Sequence, residues 1–219
     1  GCDWPDVYKT FKQGQSCVVS MPEWNAYETL RVRLGSPLSD FETPAHYTRK
    51  QKRSMGPVAL LAVRASELAL EDAGLLNSPK LNDGSVGVSY GSSSGSSDAM
   101  YPIARFLMGD TKARVEPTTY LKMMSHTCAA NISLFFQLTG RIIPTSSACT
   151  SGSQGIGYGY ESIKLGKADV MIVGGAEELH LTQVLVFDRL FAASTRNHEP
   201  TLTPRPFDKD RDGLVLGEG

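Results

Sequence analysis

The chain has 219 residues, with 22 lysines and arginines against 23 aspartates and glutamates, so its formal net charge is −1. Hydrophobic residues make up 41% and charged residues 21%, a balance that is typical of globular proteins and excludes a disordered or fibrous class. The near-zero charge gives no reason to expect a nucleic-acid partner, because phosphates call for a basic excess. No apolar run approaches the roughly 18–20 residues that span a bilayer, and the first residues do not resemble a signal or transit peptide.

The cysteine content indicates a reducing compartment. Four cysteines are too few for a disulfide-dense scaffold, and none of them has the spacing of a zinc site. Scattered single cysteines are typical of the cytosol, so we expect a cytoplasmic protein that needs no metal or other cofactor. In that setting each thiol is either buried packing or a nucleophile. The cysteines are Cys2, Cys17, Cys128 and Cys149.

In the first part of the chain, hydrophobic periodicity predicts helices and one strand. Apolar residues recur at helical spacing in two segments, and alternation with period two marks the strand. A run of glycine and serine follows that strand and predicts a loop. In chain order we expect helices at residues 6–13 and 58–73, a strand at 85–90, the loop at 91–97 and a helical region near 118–138.

The second part of the chain alternates strands and helices more regularly. One of its strands is a continuous apolar run, the pattern of a strand that is buried on both faces. The expected elements are a strand at 141–147, a helix at 152–165, the buried strand at 168–174, a helix at 179–193, a loop at 194–207 and a strand at 213–216. This alternation predicts an α/β layered fold with a central sheet, and the absence of a repeat or linker favours one domain.

Cys149 is the residue with the clearest chemical context. It lies where a predicted strand turns into a predicted helix, so its thiol would face unpaired backbone N–H groups and the positive end of the helix dipole. Both features favour the thiolate, and the small neighbours Ala148, Ser151 and Gly152 would let a bulky substrate approach the sulfur. The alternative is that Cys149 is a small buried hydrophobic residue.

Five ordered motifs resemble the β-ketoacyl-[acyl-carrier-protein] synthases, the condensing enzymes of fatty-acid and polyketide synthesis. They are SACTSG (147–152), ADVMIVGGAE (168–177), STRN (194–197), RPFD (205–208) and RDGLVLGEG (211–219). The similarity covers essentially the whole chain. It implies a thiolase-like layered α/β fold, with a central mixed sheet flanked by helices, of which residues 1–219 form the N-terminal half.

The resemblance implies a carrier-protein-dependent condensation. Cys149 would take an acyl group as a thioester, with its own backbone N–H in the oxyanion hole, and malonyl carrier protein would then decarboxylate and attack that thioester. The family's two catalytic histidines belong to later motifs, and none of the four histidines here lies in such a motif. We therefore expect a chain cut at both ends that does not complete a condensation by itself.

The resemblance also assigns secondary sites and partners. Ser94 and Gly95, in the glycine- and serine-rich loop, match the loop that lines the acyl pocket. Lys50, Arg53 and Arg196 match a basic rim on which acidic acyl- and malonyl-loaded carrier proteins dock. The protein would form a homodimer, or a heterodimer with a ketosynthase-like subunit, in primary fatty-acid synthesis or in polyene or polyketide synthesis.

Two other functions remain open on the sequence. A non-catalytic subunit that sets chain length in a ketosynthase heterodimer has a similar sequence, although such subunits typically lack the active cysteine. A coenzyme A thiolase has the same fold and a cysteine nucleophile, but the RPFD and RDGLVLGEG motifs favour the synthases. Nucleotide binding is disfavoured, because the loop at 91–97 lacks the lysine of a P-loop and the third glycine of a dinucleotide site.

Overall fold

The computed structural model describes residues 3–219, so Cys2 lies outside the described residues. These residues fall into two compact units, one of residues 3–42 and 179–219 and the other of residues 43–178. No helix in residues 3–219 is long and apolar enough to cross a membrane.

Strands and helices alternate along residues 142–189, as the sequence predicts. In chain order the elements are α1 (Trp4–Lys12), β1 (Val19–Ser20), β2 (Leu34–Gly35), α2 (Arg49–Lys52), α3 (Pro57–Asp72), β3 (Val86–Gly91), α4 (Tyr101–Leu107), α5 (Thr119–Met123), α6 (Thr127–Phe136), β4 (Ile142–Thr145), α7 (Ser151–Lys164), β5 (Val170–Gly175) and α8 (Leu181–Arg189). Short 3₁₀ helices occur at Pro22–Ala26, Pro79–Asn82, Ser97–Met100 and Pro200–Leu202.

The unit of residues 43–178 is built on a parallel three-stranded sheet in the order β4-β3-β5. The central strand β3 is buried over its whole length, and Val88 pairs with Ile142 on one side and Ile172 on the other. Strands β4 and β5 both run parallel to β3 and lie on either side of it. The connection from β4 to β5 through α7 therefore crosses over β3, since parallel strands need a crossover connection. The carboxyl ends of all three strands therefore meet at one edge of the sheet.

Helix α3 of this unit packs against α6. It begins with Pro57, which has no N–H to leave unpaired at the first helical position. Its inward face includes Val58 and Ala62, and Ile132 of α6 is likewise fully buried. Burying each large aliphatic side chain contributes about 1.5–3 kcal/mol.

The unit of residues 3–42 and 179–219 has a smaller sheet and its own core. Strands β1 and β2 pair antiparallel, with Val19 opposite Gly35. A hydrophobic cluster around Trp24, which is 6% exposed, joins the segment before β2 to helix α8. Near the end of the chain, Ser36 donates its N–H to Leu216 and accepts from the N–H of Glu218.

The sequence prediction was wrong at two segments, and it missed strands β1 and β2 and helices α2 and α4. The helical region near 118–138 is two helices, because Met124 is extended (ψ 145°) and ends α5. The segment 213–216 is not a strand and makes only a single bridge, between Leu214 and Ala193. Helix α4 was not predicted because its apolar side chains are exposed, so they show no inward-facing periodicity.

Candidate active site

Cys149 is exposed in the turn between β4 and α7, where the sequence predicts it. A short hydrogen-bond network closes this turn. The Ser147 N–H donates to Oγ of Ser151 (2.8 Å), and the Ser151 hydroxyl donates to the Ala148 carbonyl (2.6 Å). Beneath it, the Thr145 hydroxyl donates to the Ser151 carbonyl (2.8 Å), so the end of β4 is tied to the first residue of α7.

The residue before the cysteine has a strained backbone. Ala148 has φ 53°, in the left-handed region that costs a non-glycine residue on the order of 1–3 kcal/mol. The Ser151 N–H donates to the Ala148 carbonyl (3.0 Å), and the Thr150 N–H donates to that of Ser147 (3.3 Å). These bonds hold the sharp reversal that presents Cys149 at the surface while Ser151 is only 3% exposed.

Glycines on one face of α7 set its distance from the sheet. A Cβ on Gly155 would lie 2.8 Å from the Ser89 carbonyl oxygen and 3.0 Å from that of Gly174. A Cβ on Gly175 would lie 2.9 Å from Cα of Gly152. Helix α7 therefore lies directly on the backbones of β3 and β5, which fixes where its first turn, and with it Cys149, is placed.

The predicted acyl-pocket loop begins beside the turn that carries Cys149. A Cβ on Gly91, the last residue of β3, would lie 2.6 Å from Oγ1 of Thr145 and 2.7 Å from the carbonyl carbon of Ser151. Gly95 has φ 73°, and a Cβ there would lie 2.7 Å from the carbonyl oxygens of Met123 and Met124. Ser94 is exposed, and its hydroxyl donates to the Gly95 carbonyl (3.3 Å). Its role in an acyl pocket stays a prediction.

Two carboxylates that sequence reasoning assigned no role hold this loop. The Ser92 hydroxyl donates to Oε1 of Glu177 (3.2 Å), and the Ser93 N–H donates to Oε2 (2.8 Å). The next residue, Glu178, is 4% exposed and accepts the Ser97 N–H at 2.6 Å. Adjacent acidic residues directly after an apolar run that predicts a strand were the available signal, since burying a carboxylate requires compensating donors.

Cys128 is a completely buried thiol in α6. Burial, and to a smaller extent the negative charge of Glu177, raises its pKa to about 12. Burial also raises the pKa of Tyr90, on the neighbouring strand β3. These features agree with a packing role for Cys128.

The predicted docking residues lie in different surroundings. Lys50 and Arg53 are both exposed, at and just after the short helix α2, which a capping box at Thr48 begins. Arg196 belongs to the other compact unit, and its guanidinium lies 3.4 Å from Oδ1 of Asp212 and donates to the Asp210 carbonyl (2.8 Å). Lys50 and Arg53 are thus close together, whereas Arg196 is engaged within its own unit.

A second polar cluster, which sequence reasoning missed, is centred on Glu67 of α3. Its carboxylate is bound by Nε2 of His46 (2.6 Å), the Tyr47 hydroxyl (2.9 Å) and the Arg64 guanidinium (2.5 Å). Burial alone would raise the pKa of Glu67, but the hydrogen bonds from these three donors outweigh it and lower the pKa. Burial and the Glu67 hydrogen bond raise the pKa of Tyr47. Among residues 3–219, no group of three or more histidine, cysteine, aspartate or glutamate side chains could hold a metal ion.

Comparison with known proteins identifies the family. A family model described as Beta-ketoacyl synthase, N-terminal domain, matches residues 3–219. The chain is 32% identical to 3-oxoacyl-[acyl-carrier-protein] synthase 2 of Vibrio harveyi over 213 residues, which is 97% of this chain and 51% of that protein. The chain therefore spans about half the length of the curated relatives it matches.

Solved structures agree with this assignment. A β-ketoacyl synthase from Burkholderia phymatum STM815 superposes with a TM-score of 0.95 and 52% identity, covering 99% of this chain and 53% of that one. The ishigamide ketosynthase/chain length factor superposes with a TM-score of 0.78 and 25% identity, covering 96% and 51%. Both confirm that the chain has the fold of the N-terminal half of these proteins.

Proposed function

The chain belongs to the β-ketoacyl synthase family, and we propose on that basis that Cys149 accepts an acyl group from an acyl carrier protein as a thioester. The observation that carries the proposal is the exposed position of Cys149 at the start of α7, on a turn held by Ser147 and Ser151. A nucleophile must be reachable and fixed, and this turn meets both requirements.

The chemistry has two stages. In the first, the Cys149 sulfur attacks the thioester carbonyl of the acyl carrier protein, and the carrier's thiol leaves. In the second, malonyl carrier protein loses carbon dioxide, and its carbanion attacks the Cys149 thioester and releases the sulfur. Covalent catalysis replaces one difficult condensation by two easier steps. The Cys149 backbone N–H would stabilise the oxyanion of each tetrahedral intermediate.

Lys50 and Arg53 would receive the acidic carrier protein. Both side chains are exposed on one short segment, and opposite charges on two partners accelerate their encounter more than they strengthen the final complex. Arg196 contributes less in this proposal, because its guanidinium already faces Asp212 and Asp210.

A second candidate is a chain-length-determining subunit of a heterodimer. The ishigamide ketosynthase/chain length factor, to which the chain is similar, names both kinds of subunit, so the similarity is compatible with this candidate. The presence of Cys149 on an exposed turn favours the catalytic role instead, because subunits that only set chain length typically lack the active cysteine.

A condensation assay separates these candidates. The full-length protein that contains these residues is given acyl carrier protein thioesters together with malonyl carrier protein, and the β-ketoacyl product is measured. We expect product with the wild type and none with Cys149→Ala. Absence of product from the wild type, with or without an added ketosynthase-like partner, would contradict the catalytic role. If coenzyme A thioesters compete equally as acyl donors, the proposed preference for carrier-protein thioesters is wrong.

A further inference from the structure

The loop of residues 92–97 is fixed at both ends by carboxylates that follow β5. Near its start, Glu177 accepts the Ser92 hydroxyl and the Ser93 N–H at 3.2 and 2.8 Å. Near its end, Glu178 accepts the Ser97 N–H at 2.6 Å. Hydrogen bonds to a charged acceptor are roughly twice as strong as neutral ones, so these contacts are strong restraints on a short loop.

Ser92 links Glu177 to Gly95, in the middle of the loop, by hydrogen bonds to both. Its side chain is 2% exposed, and its oxygen both donates to Glu177 and accepts the Gly95 N–H at 3.2 Å. Gly95 is pressed against the carbonyl oxygens of Met123 and Met124 with φ 73°. Ser94, between them, therefore has its backbone restrained on both sides by residues that depend on Glu177.

The same strand ends support the turn that carries Cys149. Gly175, two residues before Glu177, lies against Gly152 in the first turn of α7, and Gly91, directly before Ser92, lies against Ser151. The carboxylate of Glu177 thus binds the loop and follows two residues after the end of β5, the strand that supports α7.

We propose that Glu177 is a positioning residue that fixes Ser94 and Gly95 through Ser92, and so sets which acyl chain lengths Cys149 accepts. The inference rests on the proposed function, because it needs Cys149 to carry the acyl group. It adds a residue that does not touch the substrate. Without the carboxylate, the Ser93 N–H and the Ser92 hydroxyl both lose their acceptor, so the loop is no longer held to the residues after β5 at this end.

The test compares acyl transfer to Cys149 across chain lengths in the full-length protein. The kcat/KM for acylation is measured with carrier proteins loaded with acyl groups of four to twelve carbons, for the wild type and for Glu177→Ala. We expect the ratio between the best and the worst chain length to fall at least about tenfold, because the variant removes two hydrogen bonds to a charged group and one such bond already corresponds to roughly tenfold. A merely structural role would lower all lengths equally and leave the ratio unchanged.

Three variants control the result. Glu177→Gln keeps one acceptor oxygen but loses the charge and the second acceptor, so its ratio should lie between those of the wild type and Glu177→Ala. Glu71→Gln removes an exposed carboxylate from α3 and should change nothing. Adding Ser92→Ala to Glu177→Ala should have less effect than the sum of the two single changes, because both remove the Ser92–Glu177 hydrogen bond.

The outcomes are distinguishable. An unchanged length ratio in a folded Glu177→Ala protein overturns the inference and leaves the proposed function standing. If Glu177→Ala fails to fold, Ser92→Ala, which removes a single hydroxyl, decides by the same ratio. A wild type that is not acylated at Cys149 with any chain length overturns the proposed function and this inference with it.

Discussion

The turn that carries Cys149 and the helix that carries Cys128 belong to the same compact unit but place a thiol in opposite environments. Cys149 is exposed on a strained turn at the start of α7, whereas Cys128 is completely buried in α6. Burial raises the pKa of Cys128 to about 12, which keeps that thiol protonated at neutral pH. Residue type alone therefore indicates little about reactivity, because access and the surrounding charges decide it.

The two regions are also held by different forces. Helix α7 is placed by glycines that let it rest on the backbones of β3 and β5. Helix α6 is placed by side-chain packing against α3, where Ile132 and Val58 are fully buried. Contact between backbones tolerates no added atom, whereas packing between side chains tolerates swaps that conserve volume. The exposed cysteine thus lies on the more precisely constrained element.

The largest expected difference between the two regions is in thiol reactivity. With a pKa of about 12, the thiolate fraction of Cys128 at pH 8 is on the order of 10⁻⁴, and burial blocks the reagent as well. We expect iodoacetamide to label Cys149 at least about 100-fold faster than Cys128, as measured by peptide mapping over time. Cys17 is also exposed and serves as an internal reference. Comparable labelling of Cys128 in the folded protein would show that the contrast is wrong.

Backbone contact beneath α7 predicts the next largest effect, on stability. Gly155→Ala places a Cβ 2.8 Å from a backbone oxygen of β3, so we expect a loss of about 1–3 kcal/mol in the free energy of unfolding. Gly157→Ala, on the same helix with nothing within 4 Å, should instead gain up to about 1 kcal/mol in helix propensity. Urea unfolding of both variants measures the difference, and equal stabilities would contradict the close packing.

The Glu67 cluster on α3 predicts a stability effect that depends on pH. The pKa of Glu67 is lowered, so its contribution to stability is present above its unfolded pKa of about 4.3 and is lost as the pH falls through the folded pKa. Glu67→Gln should cost about 1–3 kcal/mol at pH 7, because His46, Tyr47 and Arg64 lose a charged acceptor.

The comparison for this cluster is Glu71→Gln, an exposed position on the same helix, which should be neutral within about 0.5 kcal/mol. Thermal unfolding followed from pH 7 to pH 3 should show the cost of Glu67→Gln shrinking towards the acid end. A cost that is constant over that range would mean that the carboxylate charge is not what stabilises α3.

The smallest expected effect concerns access to Cys149. Arg53→Glu should raise the KM for acyl carrier protein about three- to tenfold at low salt with little change in kcat, because an exposed charge acts mainly on encounter. The matched variant Lys9→Glu makes the same change of charge on α1 and should leave KM unaltered. In 0.5 M salt the two variants should converge, since screening removes the attraction. A difference in KM between the two variants that persists in 0.5 M salt would contradict an electrostatic role for Arg53.

The sequence was sufficient to place Cys149 and most of the elements around it. A continuous apolar run predicted β5, and small residues between a strand and a helical pattern predicted the turn before α7. Both signals come from neighbouring residues in the sequence, so they can be recognised without knowledge of the tertiary fold. The apolar segment 213–216 carried the same kind of signal and failed, because a short apolar run does not say whether a neighbouring strand is present to pair with it.

Sequence reasoning missed the carboxylates that hold the site together. Glu177 binds residues about 85 positions earlier, and Glu67 binds His46 and Tyr47, which precede it by 21 and 20 residues. The tertiary fold brings such partners together, and the local sequence pattern does not predict them. Arg196 shows the converse, because a motif suggested an accessible cation and the fold pairs it with Asp212.

The central claim is that the turn before α7 presents Cys149 as the acyl acceptor. The most direct measurement is the intact mass of the full-length protein after incubation with an acyl carrier protein thioester, followed by peptide mapping of the adduct. The account predicts one acyl group per chain, on Cys149, and none on Cys17 or Cys128. An unmodified Cys149 in the folded full-length protein, or an adduct on another cysteine, would contradict it.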